Sequence, residues 1–227
     1  MSKKIYLDYQ ATTPVDEKIL KKMLPYFTEN FGNPHSNNHS VGRLANEAVE
    51  EARKNVANLI NAETSEIIFT SGATESNNLA IKSITKNYFD KNCQIISCKT
   101  EHKCVIESCH ELEKEGFKVT YLDVDEEGLI NLQELEKLLK QEKSLVSIMM
   151  ANNETGVIQD VKKIGELCKK YSSIFHTDVA QSIGTQNIDV VEMNIDALSI
   201  SAHKIYGPKG IGALFVASSI KNTLRPL

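Results

Sequence analysis

From Ile67 onward the chain alternates short apolar and β-branched runs with stretches of helical periodicity, and this alternation restricts the fold more than any other feature. Strands are expected at Ile67–Thr70, Gln94–Ser97, Lys118–Leu122, Leu145–Met150, Ile174–Thr177, Ala197–Ile200 and Ile211–Val216. Helices are expected between many of them, over Glu75–Lys86, Lys103–Glu115, Leu132–Gln141 and Val161–Tyr171. Asn131 with Glu134, and Asp160, are suitable helix starts. Such an order predicts an α/β fold with a mostly parallel sheet and helices on both faces. Ligands of such sheets bind beyond the carboxyl ends of the strands, so the residues following each strand are the candidates for chemistry.

Upstream, residues 1–15 read as an extended arm, because Pro14 and the β-branched Thr12 and Thr13 favour extended or turn geometry. A helix is expected over about Asp16 to Phe27, a turn at Gly32-Asn33-Pro34, and a long helix after Ser40 as N-cap. Val41, Leu44, Ala45, Ala48, Val49, Ala52, Val56, Leu59 and Ile60 recur at helical steps and predict one buried face. The 227 residues suit one large domain, or one domain and a fragment of another, and the domain is expected over residues 16–227 after the arm; the net charge of −4 offers no basic excess for nucleic acid. No apolar run approaches a bilayer span, and the N-terminus carries neither a secretory nor an import signature, which predicts a cytoplasmic protein. Five cysteines with no CxxC pair fit reduced thiols. Cys98, His102, Cys104, Cys109 and His110 lie close in sequence but lack the paired spacing of structural zinc sites, so no metal is expected.

Five of the seven expected strands are each followed by a group suited to chemistry. Ser71-Gly72-Ala73-Thr74-Glu75-Ser76 opens a helix after a strand, a loop whose N–H groups and the Thr74 and Ser76 hydroxyls suit an anion such as phosphate. His102 follows the next strand and offers a ring for stacking and proton transfer. Asn153 lies in a turn and offers an amide; Asp178 ends a strand and offers a carboxylate for a protonated ring nitrogen; Gln181 follows it. Lys204 lies in Ser201-Ala202-His203-Lys204 before the turn Tyr206-Gly207-Pro208, an arrangement suited to holding an aldehyde as a Schiff base. Taken singly, each has an ordinary structural explanation. Taken in order, they supply the lysine, acid, phosphate cup and stacking ring that pyridoxal 5′-phosphate (PLP) requires.

The segments Tyr6-Leu7-Asp8, Ala11-Thr12-Thr13-Pro14, Gly32-Asn33-Pro34, Thr70–Ser76, Lys99–His102, Asn152–Gly156, Asp178, Gln181 and His203–Gly210 resemble the N-terminal part of a class V cysteine desulfurase of the iron–sulfur cluster assembly group. The resemblance implies a fold-type-I PLP large domain with a seven-stranded sheet, acting on L-cysteine to give L-alanine while sulfur passes to an acceptor. It also implies a homodimer and a sulfur-acceptor or scaffold partner. By position, Lys204 resembles the cofactor-bound lysine and proton carrier, Asp178 the ring-nitrogen partner, Gln181 the phenolate contact and His102 the stacking ring. Ala73, Thr74, Ser201 and His203 resemble the phosphate contacts, and Asn153 a cofactor and substrate contact. Ala202 stands where the family usually has Gly, so its methyl group would tighten the pocket.

Members of the family continue beyond the segment matching Ile211–Val216, and the resemblance places the persulfide-forming cysteine, a carboxylate-gripping arginine and a small C-terminal domain in that later part. None of the five cysteines here lies in a motif matching that nucleophile. The expectation is therefore a truncated desulfurase, able at most to bind the cofactor, with exposed apolar faces that favour association. A related PLP lyase or aminotransferase, and a non-catalytic remnant or partner-binding piece, are the other readings.

Overall fold

Alternate residues along the strands enter different cores, which is why the strands read as continuous apolar runs. Ile95, Leu145, Ile174, Ala197 and Leu214 pack on one face of the sheet, while their neighbours Ile96, Val146, Phe175, Leu198 and Phe215 pack on the other. The computed structural model describes residues 5–89 and 93–225. Its sheet contains β1 (Ile67–Thr70), β2 (Gln94–Cys98), β3 (Lys118–Leu122), β4 (Ser144–Ser147), β5 (Ile174–Asp178), β6 (Ala197–Ser201) and β7 (Gly212–Val216), in the spatial order β1-β7-β6-β5-β4-β2-β3. Strands β3, β2, β4, β5 and β6 are parallel; β7 runs antiparallel to both β6 and β1. The fold is thus the mixed, mostly parallel α/β architecture expected, with seven strands. The reversal of β7 follows from its connection to β6, which is a turn rather than a helical crossover.

The helices are α1 (Glu17–Met23), α2 (Pro25–Thr28), α3 (Ser40–Leu59), α4 (Ala73–Asn87), α5 (Lys103–Lys114), α6 (Leu132–Leu139) and α7 (Val161–Lys170). Helices α4 and α5 cover one face through Ile81, Ile84, Val105 and Leu112. Helices α6 and α7 cover the other through Leu135, Leu139, Ile164 and Cys168. Asn131 and Asp160 cap α6 and α7 through their side chains, as the sequence predicts.

Several expectations are corrected. The single helix expected over 16–27 is split at Leu24, because Pro25 cannot donate to the preceding turn and instead starts α2. The cap of α3 is His39, whose Nδ1 accepts the Gly42 N–H at 3.0 Å; Ser40 is already helical. The apolar stripe of α3 is only partly covered: Ala45 and Ile60 are buried, whereas Val41, Leu44 and Leu59 face outward. Strand β4 ends at Ser147 instead of Met150: Ile148 and Met150 still donate to the β5 carbonyls of His176 and Asp178, but on the β2 side the Met149 N–H is taken by the side chain of Glu101 and not by a strand carbonyl. Residues 5–15 contain no helix or strand.

Candidate active site

The carboxyl ends of β1, β2, β5 and β6 open onto one cavity of about 710 Å³, closed on one side by the arm at Asp8–Thr12. Ala73, Thr74, His102, Asn153, Asp178, Gln181, Ser201, His203 and Lys204, the candidates named from the sequence, all line it. The topology explains the convergence: each is carried at or just after a strand end, so parallel pairing brings together residues far apart in sequence.

Asp178 is the last residue of β5 and is buried. Its Oδ1 accepts the Ala180 N–H at 2.9 Å, and its Oδ2 accepts Nδ2 of Asn77 at 2.7 Å. Burial pushes the carboxyl above its ordinary range, while those two donors and the charge of Lys204 pull it back. Two residues earlier on the same strand, His176 is fully buried, with Nδ1 2.8 Å from Ser147 Oγ and Nε2 3.0 Å from Ser199 Oγ. Burial lowers that imidazole to about 3, so the ring is neutral and ties β5 to β4 and β6.

Lys204 closes the single 3₁₀ turn Ala202–Lys204 that follows β6. Its Nζ donates to the Ala11 carbonyl at 3.1 Å and to the Gln10 carbonyl. Burial lowers its pKa, against the attraction of Asp178, Asp8 and Glu154. The arm is fastened here by a dense set of bonds. The N–H and hydroxyl of Thr13 both donate to the His203 carbonyl at 2.9 Å, and the Tyr206 N–H returns to Thr13 Oγ1 at 2.9 Å. His203 Nδ1 lies 3.1 Å from Thr12 Oγ1, and Gln181 Nε2 donates to the Gln10 carbonyl at 3.1 Å.

The loop between β1 and α4 is built for close approach. Gly72 adopts φ +154°, ψ 179°, a conformation that L side chains rarely take. A methyl group on Gly212, across the sheet edge, would stand 2.6 Å from the Gly72 Cα and 2.4 Å from the Ile200 carbonyl oxygen. Ala73 and Thr74 begin α4 and face the cavity with Ser201 and His203. Ser76 does not. Its hydroxyl is buried between Thr70 Oγ1 (2.8 Å) and the Ala213 carbonyl (3.2 Å), where it braces the loop from behind, so the donor role expected for it is corrected.

His102 is the N-cap of α5, and its Nδ1 accepts the Cys104 N–H at 3.2 Å with Cys104 Sγ 3.0 Å away. A ring nitrogen that accepts a backbone N–H carries no proton, which leaves the proton of the neutral ring on Nε2. The amide of Asn153 donates to Glu154 Oε1 at 2.8 Å; its neighbour Asn152 is the structural one, bonded to the Thr100 carbonyl at 2.7 Å. Asn77, Glu101 and the arm carbonyls are absent from the sequence-derived set. Asn77 had a weak signal, a polar residue on the sheet-facing side of α4 one turn after Thr74. Of the five cysteines, only Cys104 is more than marginally exposed, and burial raises its thiol above the ordinary range. Among the described residues no three metal-ligating side chains converge.

This fold, with a lysine turn after its sixth strand and a buried aspartate ending its fifth, marks a class of PLP-dependent enzymes: the Aminotransferase class-V family pattern matches residues 5–227, and the chain belongs to that family. The family depends on PLP. Among its relatives, cysteine desulfurase IscS of Rickettsia massiliae is 56% identical over 98% of this chain and 54% of its own length. The probable mitochondrial cysteine desulfurase of Dictyostelium discoideum is 54% identical over 98% of this chain and 50% of its own. The solved structure of SspA in complex with cysteine matches with a TM-score of 0.93 at 43% identity, covering 98% of this chain and 64% of that one. The chain therefore spans about half the length of the curated relatives it matches.

Proposed function

We propose that this chain forms the PLP-binding large domain of a cysteine desulfurase, an enzyme that takes sulfur from L-cysteine, leaves L-alanine and serves iron–sulfur cluster assembly. The observation that carries the reading is the presence of Lys204, Asp178 and an anion-suited helix start on one cavity. The cavity fits the cofactor. Asp178 is a buried carboxyl whose two donors leave it short of a cationic partner, which a protonated ring nitrogen would supply. The start of α4, opened by Gly72 and backed by Gly212, offers N–H groups to a phosphate, with Thr74, Ala73, Ser201 and His203 around it. When bound, PLP supplies an electron sink for the substrate's Cα.

The residues around it have distinct tasks. Lys204 would hold the aldehyde carbon and, when free, would move the Cα proton; its lowered pKa favours the free amine that both tasks would require. Asp178 keeps the ring-nitrogen proton in place. His102, Gln181 and Asn153 line the same cavity: His102 would hold the ring by stacking and offer its Nε2 proton, Gln181 would serve the phenolic oxygen, and Asn153 would serve cofactor and substrate. Residues 1–15 act as an arm and residues 16–227 as the binding unit. The working form is a cytoplasmic homodimer with a sulfur-acceptor partner; the outward-facing Leu7, Phe27 and Phe31 support the dimer.

Loading the purified chain with PLP and reading its visible absorption tests the proposal. The expected result is a yellow species whose reduction with borohydride fixes the cofactor to the peptide carrying Lys204, and which K204A lacks. Addition of L-cysteine should then change the band. A chain that stays colourless with PLP, or a label on Lys209 instead, would overturn the assignment.

A further inference from the structure

Asp178 is not the only carboxyl buried beneath the cavity. Glu101, in the turn between β2 and α5, is 8% exposed and lies beside His102 in sequence. The two acids are treated differently by their surroundings. Both oxygens of Asp178 accept a hydrogen bond, from Ala180 at 2.9 Å and Asn77 at 2.7 Å. Glu101 has one: Oε1 accepts the Met149 N–H at 2.6 Å, while Oε2 is buried without a partner. The charge of Lys204 acts favourably on an ionised Asp178, whereas the charge acting on Glu101 is that of Asp178. Besides His102, the titratable neighbours of Glu101 include the thiols of Cys98 on β2 and of Cys104 and Cys109 on α5, each pushed above its ordinary range by burial and so uncharged.

Two carboxyls that share a poorly solvated region cannot both ionise cheaply, and the proton goes to the one with fewer donors and no cation. We propose that Glu101 is the neutral, proton-carrying member of a buried carboxyl pair, and that it acts as a positioning residue that leaves the pair's negative charge on Asp178. Burial drives the Glu101 carboxyl well above the carboxylate range, with Asp178 adding to the effect. A protonated acid also gives Oε2 a hydroxyl in place of an unsatisfied negative oxygen. The same side chain latches the 99–102 turn to Met149, and both His102 and Met149 line the cavity. The structural part of this proposal is independent of the cofactor; its functional consequence rests on the reading of Asp178 as the ring-nitrogen partner.

The proton assignment is tested on the unloaded chain with carboxyl-labelled glutamate. One glutamate carboxyl resonance should remain at its protonated position at neutral pH and disappear in E101Q while surviving in D178N. A Glu101 resonance at the carboxylate position at neutral pH would overturn the proposal. On the PLP-loaded chain, E101Q removes no charge, so the pH midpoint of the absorption band should move by less than about 0.3 unit; removal of an ionised neighbour would move it by roughly 1 unit or more. E101A, which also drops the latch to Met149, should weaken PLP loading about tenfold, as expected for one buried hydrogen bond. A midpoint shift in E101Q as large as that of a lost charge overturns the proposal. Failure of the wild-type chain to take up PLP would overturn the functional reading alone, because the resonance measurement still decides where the proton resides.

Discussion

Gly212→Ala is the substitution on which the geometry of the anion loop can be judged. A methyl group there would lie 2.4 Å from the Ile200 carbonyl oxygen, 2.6 Å from the Gly72 Cα and 2.9 Å from the Gly72 carbonyl carbon. All three are backbone atoms, so no side chain can swing away, and relief requires β7 or the Gly72 loop to move by the better part of an ångström. Overpacking of this kind costs about 1–3 kcal/mol. For a chain of this size that amounts to a fall in melting temperature of roughly 2–12 °C. The loop is the softer of the two elements, because β7 is bonded on both sides and the loop is not. Displaced N–H groups would lose one or more charge-assisted bonds to the phosphate, each worth about 1.5–3 kcal/mol, so PLP affinity should fall roughly ten- to a hundredfold. Gly165→Ala is the control: its methyl group would meet the Met193 carbonyl oxygen at 1.9 Å, on α7 and outside the residues lining the cavity. Urea denaturation of the unloaded chains and PLP titration by absorbance should show both variants destabilised and only G212A impaired in loading. Wild-type affinity in G212A, or equal impairment in G165A, would refute the reasoning.

Two further outcomes follow from burial. His176 is held neutral with a pKa lowered to about 3, whereas in the unfolded chain it titrates near the ordinary 6.5, so the unfolded state binds more protons below that value and stability is lost as pH falls. Between about pH 7 and pH 5 this single group should cost about 2 kcal/mol, and denaturation curves of His176→Gln should lack that part of the slope; an unchanged slope would show that the ring is not buried neutral. A thiol reagent should modify at most one cysteine in the native chain, Cys104, since Cys93, Cys98, Cys109 and Cys168 are buried, and PLP should slow it because Cys104 lines the cavity. Rapid modification of two or more thiols in folded protein would contradict the packing.

The inner strands were legible because they are buried on both faces, so each appears as an apolar run whose limits depend little on its partners. The less buried edge strands Lys118–Leu122 and Ile67–Thr70 also fall where the sequence alone puts them, marked by their β-branched and aromatic residues. Prediction slipped where a side chain from elsewhere decides the local structure. Met149 looks like strand in sequence, but its N–H is claimed by Glu101, forty-eight positions away. The cap of α3 was missed for a different reason. Imidazole is an uncommon cap, and Ser40 beside it is a common one, yet the backbone turns one residue earlier. Ser76 was read as a donor to the cavity because a sequence does not tell which way a hydroxyl at a helix start will turn; its neighbours Thr70 and Ala213 decide that.

The same distinction divides the site itself. The groups that sequence reading found, Lys204, Asp178, His102, Asn153 and Gln181, are carried at or near strand ends, and parallel topology assembles such residues without further instruction. The groups that it did not find are those that set the electrostatic state of the first set. Asn77 donates to Asp178 from a helix 101 positions earlier, and the carbonyls of Gln10 and Ala11 hold the Lys204 ammonium across more than 190. None of these belongs to a motif with chemistry of its own; a carbonyl is present at every position, and asparagine is common in helices near their ends. They matter through burial, since a bond to a charged group removed from water is worth more than the same bond at the surface. A sequence therefore exposes which atoms react more readily than it exposes what tunes them. Substitution at Asn77 should accordingly disturb the protonation of Asp178 without touching any residue that a motif would mark.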